Sequence, residues 1–489
     1  MAVEDLLHPL LGAYMRSPQW VKSTVGRAYA SVPKRIKYGF AFERFRRDVE
    51  RCYRPQGLAQ EVERRLGATL RHALLHVPAF EPYRHLLERQ MPPHQLLLQL
   101  PLTSKLDLKH RLEDYASTAH PPSMRLEMFT GGSTANPMRF FSHKHVTRPK
   151  ESAYFEDFDR RAGLTPDDVI LNLRGRTVPG AGTPGGRIWL YEPIRRHLIL
   201  SSDHLEPPYM PQYVEALREW KPTFVQAYAS ALYPLARWLE QHPEPEVAQR
   251  IRGIQLTSEN VYPHQLDLFR KVFGCPVLRG YGQTERAALA ASMPDDDRYF
   301  FWPLYGWVEL VDEQGRPVAE PGVLGEIVVT SFDNEVMPFV RYRMGDFGAW
   351  SDRPHPRLPG WQVLERIEGR LQEFLVCHDH RLVTPNSLSA AHYAELSVAE
   401  SIQYEQHEPG RVALKVVAHR PLTHAERKAI SAALRRKAQD GIHFEVVQVP
   451  AIERTARGKH KMVVQHLDIS GYLSAPTLPS DAQRARLAT

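Results

Sequence analysis

Phe129-Thr130-Gly131-Gly132-Ser133-Thr134-Ala135-Asn136-Pro137 is the stretch on which the reading of this chain turns. Two glycines and three hydroxyl residues lie between Thr130 and Asn136, and Pro137 closes the run. Glycine lets a backbone approach a ligand and turn its N–H groups inward. Successive inward N–H groups form an anion nest, usually for phosphate, and hydroxyls add donors or bind a metal. Taken alone, such a stretch is more often a solvated turn. Four later motifs shift that balance.

The whole chain sets the bounds. At 489 residues it exceeds one ordinary core, so two or three domains are expected. A 43% hydrophobic fraction supplies a buried interior, and a mean hydropathy of −0.42 fits a soluble chain. No apolar run reaches membrane-spanning length, and Met1–Leu6 lacks the start of a signal peptide. The three cysteines, Cys52, Cys275 and Cys377, are far apart and have neither zinc-type spacing nor a disulfide framework. A cytoplasmic location is expected. The net charge of +7 raises nucleic acid as a partner. Without an aromatic-interleaved basic stripe, solubility and attraction for small anionic substrates account for it better. Nothing in the sequence sets the oligomeric state.

Along the chain, residues 1–60 form a helical leader, with Lys34–Tyr38 and Glu43–Arg51 as solvated surface. Helical periodicity over 58–77 stops at Pro78, and Thr103 or Ser104 caps another helix. From 165 to 370, strands (Val169–Leu173, Phe224–Ala227, Ile254–Thr257, Pro276–Leu278) alternate with helices (Pro211–Glu219, Leu232–Gln241, Pro263–Phe273), which argues α/β with layered sheets. Thr177–Gly186 reads as a mobile loop. Val308–Val311, Gly325–Thr330 and Gly348–Trp350 read as antiparallel strands, with a hairpin turn at Asp312–Gly315. The expected division is a large N-terminal domain over 1–371 and a small α+β C-terminal domain over 372–489. In the latter, Ser401–Gln406, Val412–Ala418 and Phe444–Val449 are strands, and Thr423-x-x-Glu426 is a capping box. Residues 472–489 have the composition of a frayed tail.

The later motifs carry the chemistry. Arg279-Gly280-Tyr281-Gly282-Gln283-Thr284-Glu285 follows a strand, and sheet C-terminal edges bind ligands in open α/β sheets. A carboxylate beside a phosphate nest suits Mg²⁺, and Glu285 is the candidate. Met337–Asp346 places Asp346 after a glycine at an expected strand end, where a carboxylate accepts ribose hydroxyls. Ile367–Phe374 carries Arg370, a candidate for ribose or phosphate. Arg454–Lys461 carries Lys459, whose charge suits a developing phosphate charge. Each of these has an ordinary turn or surface reading by itself.

Together, and in this order, the motifs resemble the adenylate-forming superfamily of acyl-CoA synthetases, luciferases and adenylation domains. Thr-Gly-Gly-Ser-Thr, His72-Ala73…Val77-Pro78 with Pro101–Lys105, and Asn334-x-x-Met337-Pro338 resemble its phenylacetate–CoA ligase and CapK-like branch. The resemblance implies that Thr130, Gly131, Gly132, Ser133 and Thr134 grip the phosphates of ATP. It implies that Ser258, Glu259 and Asn260 line the adenine, with Tyr281, Gly282 and Gln283 beside it. Thr284 would contact the α-phosphate, Glu285 hold Mg²⁺, and Asp346 bind ribose with Arg370 assisting. Lys459 would stabilise the adenylation transition state.

The implied reaction joins a small-molecule carboxylate, an aryl acid being favoured by Phe224, Tyr228, Tyr233 and Tyr281, to AMP. The acyl group then passes to a thiol such as CoA or to an amine; a non-catalytic acyl- or nucleotide-binding protein is the alternative of another class. The chain departs from the pattern at three positions. Ala135 stands where a glycine is usual, Met138 where many relatives carry lysine, and Gln372 at the usual Asp or Lys hinge. No cysteine cluster follows Glu285, so the zinc of some relatives is not expected there. His143 and His145 read as surface or core residues rather than catalytic ones.

Overall fold

The computed structural model describes residues 19–30, 32–130, 138–174, 178, 186–202, 204–205, 207–370, 373–383, 388, 398–418, 420–452 and 461–469. Thr177–Gly186 lies almost wholly outside these residues, and 472–489 entirely so. The fold is mixed α/β and divides into two compact units. One takes residues to Ile170, Tyr191–Leu198 and Leu278–Ile367; the other takes Leu171–Leu190, Ile199–Val277 and the chain from Glu368.

The first unit opens on helices. The arginines of the Phe40–Cys52 helix face solvent as expected, but Phe42, Phe45, Val49 and Cys52 are buried. This segment is therefore a docked amphipathic helix rather than solvated surface, each buried aromatic contributing roughly 1.5–3 kcal/mol. The next helix runs Leu58–His76, and the chain continues past Pro78 as 3₁₀ turns to Glu88. Ser104, not Thr103, caps the Lys105–His110 helix in a reciprocal box with Asp107. Thr103 does something else: its N–H donates to Arg341 O (2.9 Å) and its carbonyl accepts from Arg343 N (2.8 Å). It thereby lies as a one-residue parallel bridge on Tyr342.

The strands of this unit run in the order Gly306–Val311, Leu324–Ser331, Tyr342–Trp350, Gln362–Arg370, Asp296–Phe301, Leu289–Met293, Val277–Gly282. The antiparallel reading of 306–350 holds. The Asp312–Gly315 turn is present, closed by Gly315 N–H on Asp312 O, but it opens a longer connection than a two-residue hairpin. Two expectations are corrected. The strand read as Pro276–Leu278 runs Val277–Gly282, so Tyr281 lies within it and pairs with Ala290. Gly348–Trp350 is the end of a nine-residue strand that starts at Tyr342.

The second unit holds a parallel pair, Phe224–Ala227 with Gly253–Thr257, next to Ile170–Leu173. The helices Met210–Trp220, Ala229–Gln241 and Pro263–Phe273 stand close to their expected positions. Its C-terminal part is a four-stranded sheet in the order His443–Gln448, Arg411–Ala418, Ala399–Glu408, Val463–Gln465. The His424–Lys437 helix is capped by Thr423 and Glu426 as the sequence predicts.

Candidate active site

Two paired strands flank the loop read as a phosphate cradle. Arg125–Phe129 and Arg139–His143 pair antiparallel in the register Phe129↔Arg139. One step further, Thr130 N–H donates to Met138 O (2.8 Å), and Thr130 Oγ1 accepts from Met138 N–H (2.9 Å). Residues 131–137, with Gly131, Gly132, Ser133, Thr134 and Ala135, lie outside the described residues. Thr130 itself is buried and spends its hydroxyl on this closure.

The root of the hairpin is sewn to the Met337-Pro338 segment. Asn334 Nδ2 donates to Phe141 O (3.0 Å) and Met337 O (2.7 Å), while its Oδ1 accepts from His143 N–H (2.8 Å). Phe140 stacks edge-on to Phe339, and Phe339 tilts against Tyr342. His143 is buried; burial pushes its imidazole below the usual histidine range, and its Nδ1 pairs with Lys144 O at 2.6 Å. This fits a core role.

A second hairpin carries Thr284 and Glu285. Val277–Gly282 turns back into Leu289–Met293, and Arg286 N–H closes a turn on Gln283 O (3.0 Å). Thr284 and Glu285 are the two central residues of that turn. Thr284 is half-exposed and Glu285 is buried. Assigned from its hydrogen bonds, the Gln283 amide meets the backbone N–H and C=O of Ala288 at 3.0 and 2.6 Å.

Tyr342 joins the two hairpins. Its buried hydroxyl lies 3.3 Å from Glu285 Oε1 and 3.7 Å from Met138 Sδ. The carboxylate read as a metal ligand therefore stands at the root of the loop read as a phosphate cradle. Nothing in the sequence points to this role for Tyr342 beyond its place in the Arg341–Asp346 motif.

Four residues on, the same strand presents Asp346. Its register against Leu324–Ser331 slips between Glu326 and Val328, and Gly345 takes φ +71° there, a conformation that suits glycine. The Gly345 N–H is held by Glu326 Oε1 (3.2 Å). Asp346 thus lies at a mid-strand bulge, not at a strand end. Its Oδ2 accepts from the Tyr281 hydroxyl at 2.9 Å. Arg341, first residue of the motif, is buried and paired with Glu309 at 3.0 Å, with Leu100 O as a further acceptor. Burial raises the Glu309 carboxyl above its usual range, and Arg341 opposes that shift.

In the second unit, Ser258 has φ +68°. Glu259 accepts from Ser230 N–H and Oγ at 3.0 Å each, an anion at the start of the Ala229–Gln241 helix. Asn260 Nδ2 donates to Glu368 O (3.1 Å) and Glu373 Oε2 (2.9 Å). Gly369 makes that possible: it has φ +85°, and a Cβ there would sit 2.2 Å from both Asn260 Nδ2 and Glu373 Oε2. The backbone of Arg370 ends the Gln362–Arg370 strand, while its side chain, Gln372 and Lys459 lie outside the described residues.

Comparison with known proteins follows the same lines. A family model described as "AMP-binding enzyme" matches residues 58–337, over half of the chain. Protein CapK of Staphylococcus aureus is 22% identical over 379 residues, covering 76% of this chain and 80% of that protein. Among solved structures, 2-hydroxyisobutyryl-CoA ligase in the postadenylation state, in complex with R3-HIB-AMP, superposes with a TM-score of 0.63 at 17% identity. It covers 88% of this chain and 92% of that one. An open conformation of that ligase with 2-HIB-AMP and CoA gives a TM-score of 0.51 at 17% identity, covering 83% and 91%. These two likenesses are of fold.

Proposed function

Because the chain belongs to the AMP-binding enzyme family of AMP-forming acid ligases, we propose that it activates a carboxylic acid with ATP and passes the acyl group to a thiol such as CoA. The observation that supports this most directly is the Tyr342 hydroxyl, which holds Glu285 at the root of the Thr130–Met138 loop. A carboxylate oxygen of the acid attacks the α-phosphorus of ATP in line. The α–β anhydride breaks, pyrophosphate leaves, and acyl-AMP remains. Loop residues 130–134 hold the phosphates, Thr284 contacts the α-phosphate, Tyr281 lies along the adenine, and Asp346 takes the ribose with Arg370. Lys459 meets the charge that develops at phosphorus. No side-chain nucleophile is required.

The oxygen donor of Glu285 fits Mg²⁺, which is usually held by one or two carboxylates plus substrate phosphates; bound there, the ion would neutralise phosphate charge. The C-terminal domain, 372–489, then swings about Gln372 and withdraws Lys459 so that the acceptor reaches the acyl-AMP. An aryl acid is the favoured substrate class.

The test is carboxylate-dependent ATP–pyrophosphate exchange across a panel of aryl and short hydroxy acids, followed by CoA or amines as acceptors. AMP and pyrophosphate formation with one acid class supports the reading, and thioester formation with CoA supports the acceptor. Amide formation instead would replace the acceptor and keep the first step. ATP binding without exchange for any acid would sink the reading in favour of a non-catalytic nucleotide-binding protein.

A further inference from the structure

On the C-terminal sheet, three metal-ligating groups outside the motifs above converge, one of them five residues past the Arg454–Lys461 motif. Glu405 and His407 are alternate residues of the Ala399–Glu408 strand, the spacing that puts side chains on one face. The Val463–Gln465 strand runs parallel beside it in the register Glu405↔Val464 and Gln406↔Gln465. Its pairing continues one step through His466 N–H on Gln406 O at 2.9 Å, so His466 comes up next to His407. The two imidazoles stack nearly parallel, 7° apart with centroids at 4.0 Å.

Nε2 of His466 lies 3.2 Å from Glu405 Oε1, and Nε2 of His407 lies 3.8 Å from the same oxygen. The two distances to Glu405 Oε1 bracket the roughly 3.4 Å between neighbouring donors at tetrahedral Zn²⁺ bond lengths, and all three donor groups lie within 4.8 Å of one another. Both histidines are exposed, so small rotations close the difference. The other carboxylate oxygen, Oε2, is held by Lys415 Nζ at 2.8 Å from the next strand. That contact orients the carboxylate and leaves Oε1 facing the imidazoles, the part an outer partner plays around a metal.

We propose that Glu405, His407 and His466 form a site for a borderline divalent transition ion, Zn²⁺ being the fitting one, with water completing the shell. Two imidazoles and one carboxylate suit such ions and not Mg²⁺ or Ca²⁺, which take oxygen ligands. A bound ion joins two strands distant in sequence and pins the short Val463–Gln465 strand to the sheet. None of the three residues is among those assigned to adenylation above.

The test uses the full, untagged chain, stripped with chelator and titrated with Zn²⁺ by equilibrium dialysis. Co²⁺ serves as a visible-absorbance probe. One ion per chain is expected, with a Co²⁺ spectrum showing nitrogen ligation and a Zn²⁺-dependent rise in melting temperature. His407→Ala and His466→Ala each lower affinity at least about 100-fold, more than the 10–100-fold typical of outer partners; the circular dichroism of each shows that the fold survives. Lys415→Met lowers it by less, and His443→Ala on the same sheet changes nothing. Binding that persists unchanged in the His407→Ala/His466→Ala double variant, or a wild-type chain that takes up no Zn²⁺, overturns the proposal.

Discussion

Tyr342 spends one hydroxyl on two neighbours, the carboxylate of Glu285 and the thioether of Met138. A hydrogen bond to a charged group contributes roughly 1.5–3 kcal/mol. Tyr342→Phe keeps the ring against Phe339 and removes only the hydroxyl. We expect the fold to survive and the Mg²⁺ concentration for half-maximal exchange to rise about tenfold, which a Mg²⁺ titration of pyrophosphate exchange measures. Lys459→Ala should abolish exchange, by at least about 100-fold, while ATP still binds by calorimetry; normal carboxylate-dependent exchange in that variant would remove Lys459 from the mechanism. The sequence marks Glu285, Asp346 and Lys459 because charged residues in short glycine-bearing motifs stand out. It leaves Tyr342 unmarked because a tyrosine between Arg341 and Arg343 shows no partner for its hydroxyl until the fold is known.

At the scale of elements, the parallel strand Phe224–Ala227 and the helix Pro263–Phe273 have the bounds that periodicity and Pro predict. Val277–Gly282 does not. Gly280 and Gly282 read as breakers, yet pairing with Leu289–Met293 carries the strand through both, and long-range pairing is what a local pattern lacks. The Phe40–Cys52 helix is the same lesson in reverse: its many arginines mask an apolar stripe that finds a partner only in the folded chain. Gly369→Ala tests a connection between elements. The new methyl would collide with Asn260 Nδ2 and Glu373 Oε2, in a backbone conformation L-residues avoid. We expect roughly 2–4 kcal/mol of destabilisation in urea, with Gly360→Ala, where φ is also positive but space is open, costing about 1 kcal/mol.

For the molecule as a whole, the most consequential buried charge is Lys150. Its ammonium donates to Tyr305 O (2.6 Å) and Phe332 O (2.7 Å) and lies 3.4 Å from Asp333. Burial lowers its pKa from 10.5 to about 8, with Asp333 opposing the shift. A folded pKa below the unfolded one means that the unfolded chain binds more protons between pH 8 and about 10.5. The cost of burying this charge is therefore fully present below pH 8 and is relieved as pH rises through that window. Urea midpoints measured from pH 7 to 10 should show a rising contribution in the native chain that Lys150→Met lacks. At pH 7, Lys150→Ala should cost about 3–5 kcal/mol, since two buried carbonyls and Asp333 lose a donor. None of this is visible in Thr147-Arg148-Pro149-Lys150-Glu151, which reads as a polar helix start.

The short Val463–Gln465 strand has one more consequence. It covers one side of Ala399–Glu408, whose other side is taken by Arg411–Ala418. A chain shortened to end before 461, the obvious way to remove the Lys459 segment, bares a row of backbone donors and acceptors along Tyr404–Gln406. Such a row is a template for another chain. Truncation would thus trade a catalytic question for self-association, seen as concentration-dependent sedimentation, whereas a single substitution at Lys459 leaves that edge closed.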